Sequence, residues 1–112
     1  MQSSSRAHLI SVIVPVHDGE RYLGEALQSL ATQTFRDIEV IVVDDGSSDA
    51  SRTIAAQFAE RDARFHLIAL PVPSGRPARP RNTGIAAARG SYIADMIATL
   101  AMLDPILGGI DR

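Results

Sequence analysis

Leu9-Ile10-Ser11-Val12-Ile13-Val14 is almost wholly apolar and rich in β-branched residues, the pattern of a strand buried on both faces. Pro15 is expected to end it. Asp18 is a candidate helix cap, and beyond it Leu23, Leu27 and Leu30 recur at helical spacing. Ile38-Glu39-Val40-Ile41-Val42-Val43 repeats the first pattern and predicts a second buried strand. The polar run Asp44-Asp45-Gly46-Ser47-Ser48-Asp49 reads as a turn. Asp49 or a neighbouring serine can cap a following helix that carries Ile54, Ala55 and Phe58 on one face. Residues 65–70 predict a third strand, and residues 71–80 a loop rich in proline, glycine and arginine. Residues 81–88 predict a short helix that Gly90 can end, and residues 91–97 a fourth strand. There is no internal repeat, low-complexity tract or domain linker.

The order β-α-β-α-β-α-β implies an α/β fold: a three-layer sandwich with a mostly parallel sheet, right-handed crossovers and helices on both faces. Such sheets bind ligands beyond the carboxyl ends of their strands, near the point where strand order reverses. The loops that follow the first strand (Pro15 to Gly19) and the second (Asp44 to Asp49) then share one edge.

Composition narrows the chemistry. With 112 residues, 46% apolar and 21% charged, the chain has room for one soluble domain with one core. A net charge of −2 gives no reason to expect a nucleic-acid partner. There is no cysteine, which excludes disulfides and thiolate metal sites. No G-x-G-x-x-G follows the first strand, and a P-loop is impossible because every basic residue is arginine. Between Asp62 and Asp95 there is no acid, yet Arg64, Arg76, Arg79, Arg81 and Arg89 fall there. An anionic ligand gripped by arginine, with a carboxylate reading a base edge, suits this distribution. Met1 to Ala7 lacks the apolar stretch of a secretory signal. Ile93 to Ile110 is broken by Asp95, Asp104 and Pro105, too often for a membrane span, so a cytoplasmic location is expected.

Five motifs in order then carry a resemblance. Residues 11–19, Ser-Val-Ile-Val-Pro-Val-His-Asp-Gly, resemble the S-V-I-I-P-V-Y-N-G opening of family 2 glycosyltransferases. Leu27 to Thr34 resembles their S-L-x-x-Q-T helix end, and Glu39 to Asp49 their E-I-I-V-V-D-D-G-S-T-D. Pro80 to Ile85 resembles A-R-N-x-G-I, and Gly90 to Ala94 resembles G-E-Y-I-A. The ordered set spans residues 11 to 94. It implies the type A glycosyltransferase fold, with a Rossmann-like nucleotide-binding half. It also implies a nucleotide-diphosphate sugar donor, a UDP-sugar first, and an acceptor hydroxyl whose identity the motifs do not give. By the same resemblance Pro15 and His17 flank the base, with the His17 ring packed on it. Asp45, the second acid of the pair with Asp44, accepts a hydrogen bond from a ring N–H of the base. Arg81 reaches the base or the phosphates, and it opens a helix whose start favours anions. Nucleotide binding is thus assigned to Pro15, His17, Asp44, Asp45 and Arg81, with no catalytic residue and no metal ligand assigned.

After Ala94 the family runs into F-L-D-x-D-D, whose carboxylates hold Mn²⁺ or Mg²⁺ against the diphosphate. Here Ile97 and Thr99 stand at the metal-binding positions, and neither replaces a carboxylate on a hard cation. The expectation is a front half of the fold, truncated before its acceptor-binding half and unable to transfer sugar alone. The alternative is a non-catalytic nucleotide-binding or interaction fragment. The expected organisation is a polar extension over residues 1–8, a nucleotide-sugar-binding half-domain over 9–97 and an atypical tail over 98–112. The fourth strand would then be an apolar open edge, prone to self-association.

The remaining candidates read as ordinary structure. Asp44-Asp45-Gly46 in isolation would be only a strand-end turn, and His17 only an exposed loop residue. His8 and His66 lack a partner at metal spacing. Arg76 and Arg79 read as solvated loop charges, and Asp95 and Asp104 as a strand residue and the acid before Pro105.

Overall fold

The computed structural model describes residues 9–76 and 78–95. The expectations for residues 1–8, for Ile97 and Thr99, and for the tail 98–112 lie outside the described residues.

Seven elements follow in the expected order. They are β1 (Ile10–Val16), α1 (Glu20–Ala31), β2 (Ile38–Asp45), α2 (Ser51–Arg61), β3 (Phe65–Leu70), α3 (Ala78–Ala87) and β4 (Tyr92–Asp95). The strands form one sheet in the order β3-β2-β1-β4, and every pair is parallel. The chain therefore steps outward from β1 to β3, then returns to place β4 on the other side of β1. The carboxyl ends of β1 and β2 sit side by side, with Val16 opposite Asp44.

Strand periodicity divides the core into two layers. Val12, Val14, Val16, Val40 and Val42 face α1 and α2 and pack with Leu23, Leu27, Leu30, Ala55 and Phe58. Ile13, Ile41 and Val43 face the other way, towards the α3 side. Leu23 and Leu27 are fully buried, and each such burial contributes about 1.5–3 kcal/mol. β2 is buried at every position because it has strands on both edges and helices on both faces. The approach of α3 depends on Gly84: a Cβ there would stand 2.5 Å from Cγ2 of Ile13.

Some boundaries differ from the sequence reading, among them the end of β2, which runs to Asp45 and so takes into the strand Asp44 and Asp45, read as the start of a turn. β1 does not stop at Pro15 but continues through it to Val16, with Pro15 in register with Val43. The carbonyl of Leu9 accepts N–H groups from the β4 side, whereas the N–H of Ile10 donates to Asp37 on the β2 side. Alternation turns the Pro15 nitrogen to the β4 side, beyond Ile13–Asp95, the last described β1–β4 pair. The missing N–H therefore removes no described ladder bond. Helix α3 begins at Ala78, not Arg81, so Arg79 lies in the helix and Arg81 completes its first turn. Pro80 is tolerated there because first-turn N–H groups have no intrahelical acceptor.

A buried polar node pins the start of β4 to the sheet. The Ser11 hydroxyl donates to Glu39 Oε2 at 2.6 Å and accepts the Gly90 N–H at 2.9 Å. The Arg89 N–H reaches Glu39 Oε2 at 2.6 Å, and Arg89 Nε lies 3.3 Å from Oε1. Burial alone would push the Glu39 carboxyl up. The Ser11 hydroxyl and the two Arg89 donors outweigh it and hold the group below the usual glutamate range. Among the described strands β4 pairs only with β1, and its Tyr92 and Ile93 side chains are exposed.

Candidate functional site

The loops after β1 and β2 are built as a pair. Asp18 was expected to cap α1, but it adopts a positive φ of 51° and turns its carboxylate across to the other loop. There Asp18 Oδ1 accepts the N–H groups of Ser48 at 2.8 Å and Asp49 at 3.3 Å. The favour is returned at the start of α1. The Glu20 N–H donates to Asp49 Oδ2 at 3.1 Å, and the Gly19 N–H to Ser51 Oγ at 2.8 Å. Glu20 Oε1 in turn accepts the Ala50 N–H at 2.8 Å. Adjacent parallel strands bring both helix starts to one place, so each loop's oxygens lie nearest the other loop's donors. Asp49 also takes the Ser51 N–H at 2.9 Å, but the residue at the cap of α2 is Ala50, not Asp49 or a serine, and no cap side chain bonds the helix start. The modest desolvation of Asp49 is outweighed by the donors from Ser51 and Glu20, which hold its carboxyl below the usual range. Aspartate is among the few side chains that tolerate the left-handed region, which suits Asp18 to its position.

The same alternation splits the acidic pair. Asp44 points to the α1–α2 face and is fully buried. Its Oδ2 accepts Arg52 Nε at 3.0 Å, Arg52 Nη2 at 2.8 Å and the Ser47 N–H at 3.2 Å. Arg52 Nη2 also reaches the carbonyl of Leu70 at 3.1 Å, which ties the end of β3 to the end of β2. Asp45 points to the α3 face and is 5% exposed. Its Oδ1 accepts the Ser74 N–H at 3.0 Å, and its Oδ2 the Ser74 hydroxyl at 2.7 Å. His17 Nδ1 lies 2.9 Å from the Asp45 carbonyl, which fixes the proton on Nδ1, and Nε2 lies 3.4 Å from Asp18 Oδ2. Gly46, with φ of 66°, is required beside them: a Cβ would stand 2.4 Å from the nitrogen of Pro73.

These ends enclose a cleft of about 350 Å³, within the size range of small-ligand pockets. Pro15, Val16 and His17 line it from β1 and its loop, Tyr22 from α1 and Asp45 from β2. Pro73, Gly75 and Arg76 come from the β3–α3 loop, and Pro80 from α3. Of the residues singled out in the sequence, Pro15, His17 and Asp45 come together here. Asp44 does not line the cleft, and neither does Arg81, which is exposed next to Pro80. Arg76 is exposed in the loop, as read from sequence, and also forms part of the wall. Tyr22 and Ser74 carried no motif signal. The one local hint for Ser74 is a hydroxyl next to Gly75 in a proline-rich loop, ordinary turn chemistry.

Among the described residues no three histidine, aspartate or glutamate side chains gather as a metal site. Arg52 is held by Asp44 Oδ2, while Asp44 Oδ1 is buried with no hydrogen-bond partner among the described residues, and Asp45 holds Ser74 through both oxygens. The positions that the resemblance gives to the cation-holding acids lie outside the described residues. No described helix is long and apolar enough to cross a membrane.

Residues 11–96 match the family described as Glycosyl transferase family 2. Over 85 residues the chain is 47% identical to the uncharacterized glycosyltransferase EpsJ of Bacillus subtilis (strain 168), covering 76% of this chain and 24% of EpsJ. The structure of S. aureus TarS 1–349 in complex with UDP superposes with a TM-score of 0.70 at 32% identity, over 87% of this chain and 32% of that one. TarS 1–349 in complex with UDP-GlcNAc gives a TM-score of 0.69 at 31% identity, over 87% and 31%. The mannosyltransferase PcManGT from Pyrobaculum calidifontis, in complex with GDP-Man and Mn²⁺, gives 0.65 at 26% identity, over 77% and 26%. The chain thus spans about a quarter to a third of the length of these relatives. Its parallel α/β sandwich is the type A glycosyltransferase-like fold that the motifs implied, and the chain belongs to glycosyl transferase family 2.

Proposed function

We propose that the cleft binds the nucleotide of a nucleotide-diphosphate sugar, a UDP-sugar foremost, for transfer of the sugar to an acceptor hydroxyl. The observation that carries this reading is the Asp45 carboxylate, nearly buried at a strand end and opening on a cleft walled by prolines, Val16 and aromatic rings. A carboxylate accepts hydrogen bonds and donates none. It therefore favours a base with a ring N–H, as in uracil or guanine, and meets a lone pair on the corresponding nitrogen of cytosine or adenine. Relatives in complex with UDP, UDP-GlcNAc and GDP-Man support this choice, since both bases carry that N–H. Pro15 and the His17 ring offer the base a packing surface. Arg76 on the cleft wall and Arg81 beside Pro80 are the arginines suited to the diphosphate, through bidentate contacts. Asp44 supports the site indirectly, by holding the strand end through Arg52.

For these 112 residues alone we propose binding without transfer. Ile97 and Thr99 occupy the positions where the resemblance sets the cation-holding acids, which favours the reading of a non-catalytic nucleotide-binding unit. Purified chain with Mn²⁺ and a panel of nucleotide-sugar donors is expected to release no nucleoside diphosphate above blank. Sustained turnover that survives repurification would contradict this. Exposure of Tyr92 and Ile93 supports self-association through the β4 edge, which should appear as concentration-dependent light scattering. Scattering that stays monomeric at every concentration rules it out.

A further inference from the structure

We propose, on the reading of the cleft given above, that Ser74 is a positioning residue: it fixes the plane of the Asp45 carboxylate and thereby sets which bases the cleft accepts. Ser74 does not itself line the cleft. It holds both carboxylate oxygens at once, Oδ1 through its N–H at 3.0 Å and Oδ2 through its hydroxyl at 2.7 Å. A free aspartate rotates broadly about its last torsion, so two donors from one residue remove most of that freedom. Each oxygen still has lone-pair capacity, so a base N–H is accepted without displacing Ser74.

The hydroxyl has a second duty. Its one proton is shared between Asp45 Oδ2 at 2.7 Å and the carbonyl of Arg76 at 2.8 Å, and its Oγ accepts the Arg76 N–H at 3.2 Å. Ser74 thus joins the base-reading carboxylate to the backbone of the arginine on the cleft wall. Without the hydroxyl the carboxylate turns more freely and can follow the exocyclic amine of cytosine or adenine. Selectivity for a ring N–H then falls together with affinity.

Calorimetric titration of the full chain with UDP and CDP tests this. The variants are Ser74→Ala, Ser74→Thr, Asp45→Ala and the double variant of Asp45→Ala with Ser74→Ala. Ser74→Ala is expected to weaken UDP binding roughly five- to tenfold, less than the full worth of a hydrogen bond to a charged group because the lost bond orients the carboxylate and does not touch the ligand, while CDP binding changes less. The preference for UDP over CDP then shrinks. Ser74→Thr keeps both donors and should retain the preference. In the Asp45→Ala background, Ser74→Ala should cost clearly less than it does alone, because its effect on base reading passes through Asp45. Unchanged UDP affinity and preference in Ser74→Ala, or an equal loss with and without Asp45, overturns the proposal. UDP binding that Asp45→Ala weakens and Ser74→Ala leaves intact overturns this proposal alone. No UDP binding by the unaltered chain overturns the reading of the cleft, and this proposal with it.

Discussion

Asp45→Ala is expected to weaken UDP binding by roughly five- to a hundredfold, since deleting the acceptor of a buried hydrogen bond costs about 1–3 kcal/mol. The carboxylate is nearly buried, so water replaces it poorly as a partner for the base. The variant also frees Ser74, which now holds both oxygens, and so loosens the β3–α3 loop that forms one wall. Asp45→Asn separates the two effects. The amide keeps the shape of the side chain but can present N–H to the base. It should lose affinity for UDP and gain relative affinity for CDP, whose ring nitrogen offers a lone pair. Calorimetry with both nucleotides reads this directly. A general loosening of the site would lower both affinities alike, whereas loss of base reading changes their ratio.

Glu39→Ala is expected to lower stability by about 2–4 kcal/mol. It removes the common acceptor of the Ser11 hydroxyl and the Arg89 N–H, both at 2.6 Å, and leaves the fully buried Ser11 hydroxyl without that acceptor. The Arg89 guanidinium contributes little to this figure, because its side chain is 60% exposed and water replaces its partner. Against a total stability of about 5–15 kcal/mol, such a loss should lower the melting midpoint by more than about 10 °C. The pH dependence follows from the same contacts. The folded carboxyl lies below its unfolded value, so its contribution is fully present above about pH 4.3 and is lost as pH falls through the folded value. Glu39→Gln cannot titrate. In thermal melts below about pH 4.3 the unaltered chain should therefore lose stability more steeply with acid than Glu39→Gln does. Parallel curves for the two proteins would remove Glu39 from the explanation.

The hydrophobic runs made the architecture legible. Ile10 to Val14 and Ile38 to Val43 could only be buried strands, and the leucines at 23, 27 and 30 could only face them. What sequence could not supply depends on which strand lies beside which. Pro15 stays in β1 because its nitrogen faces away from β2, whose pairing with β1 runs on to Val16 and Asp44, a fact of sheet order rather than of local propensity. Asp18 and Asp49 exchange helix starts because β1 and β2 are parallel neighbours, and a cap read along one segment cannot anticipate a donor some thirty residues away. In the cleft, motif order pointed to Pro15, His17 and Asp45, all at strand ends that topology brings together. Ser74 and Arg76 stayed hidden because their role exists only once a proline-rich loop folds back on Asp45 and Gly46. The division of Asp44 from Asp45 follows from strand alternation. It needed only the knowledge that β2 remains extended to its last residue.

Amide chemical-shift mapping of the full chain titrated with UDP to millimolar concentration tests the nucleotide site most directly. Saturable shifts are expected at residues 16–19, 44–47 and 74–76, the three segments that meet at the cleft. Shifts confined to the groove along the outer face of α2, around Thr53, Gln57 and Glu60, or no shifts at all, would contradict nucleotide binding at the ends of β1 and β2.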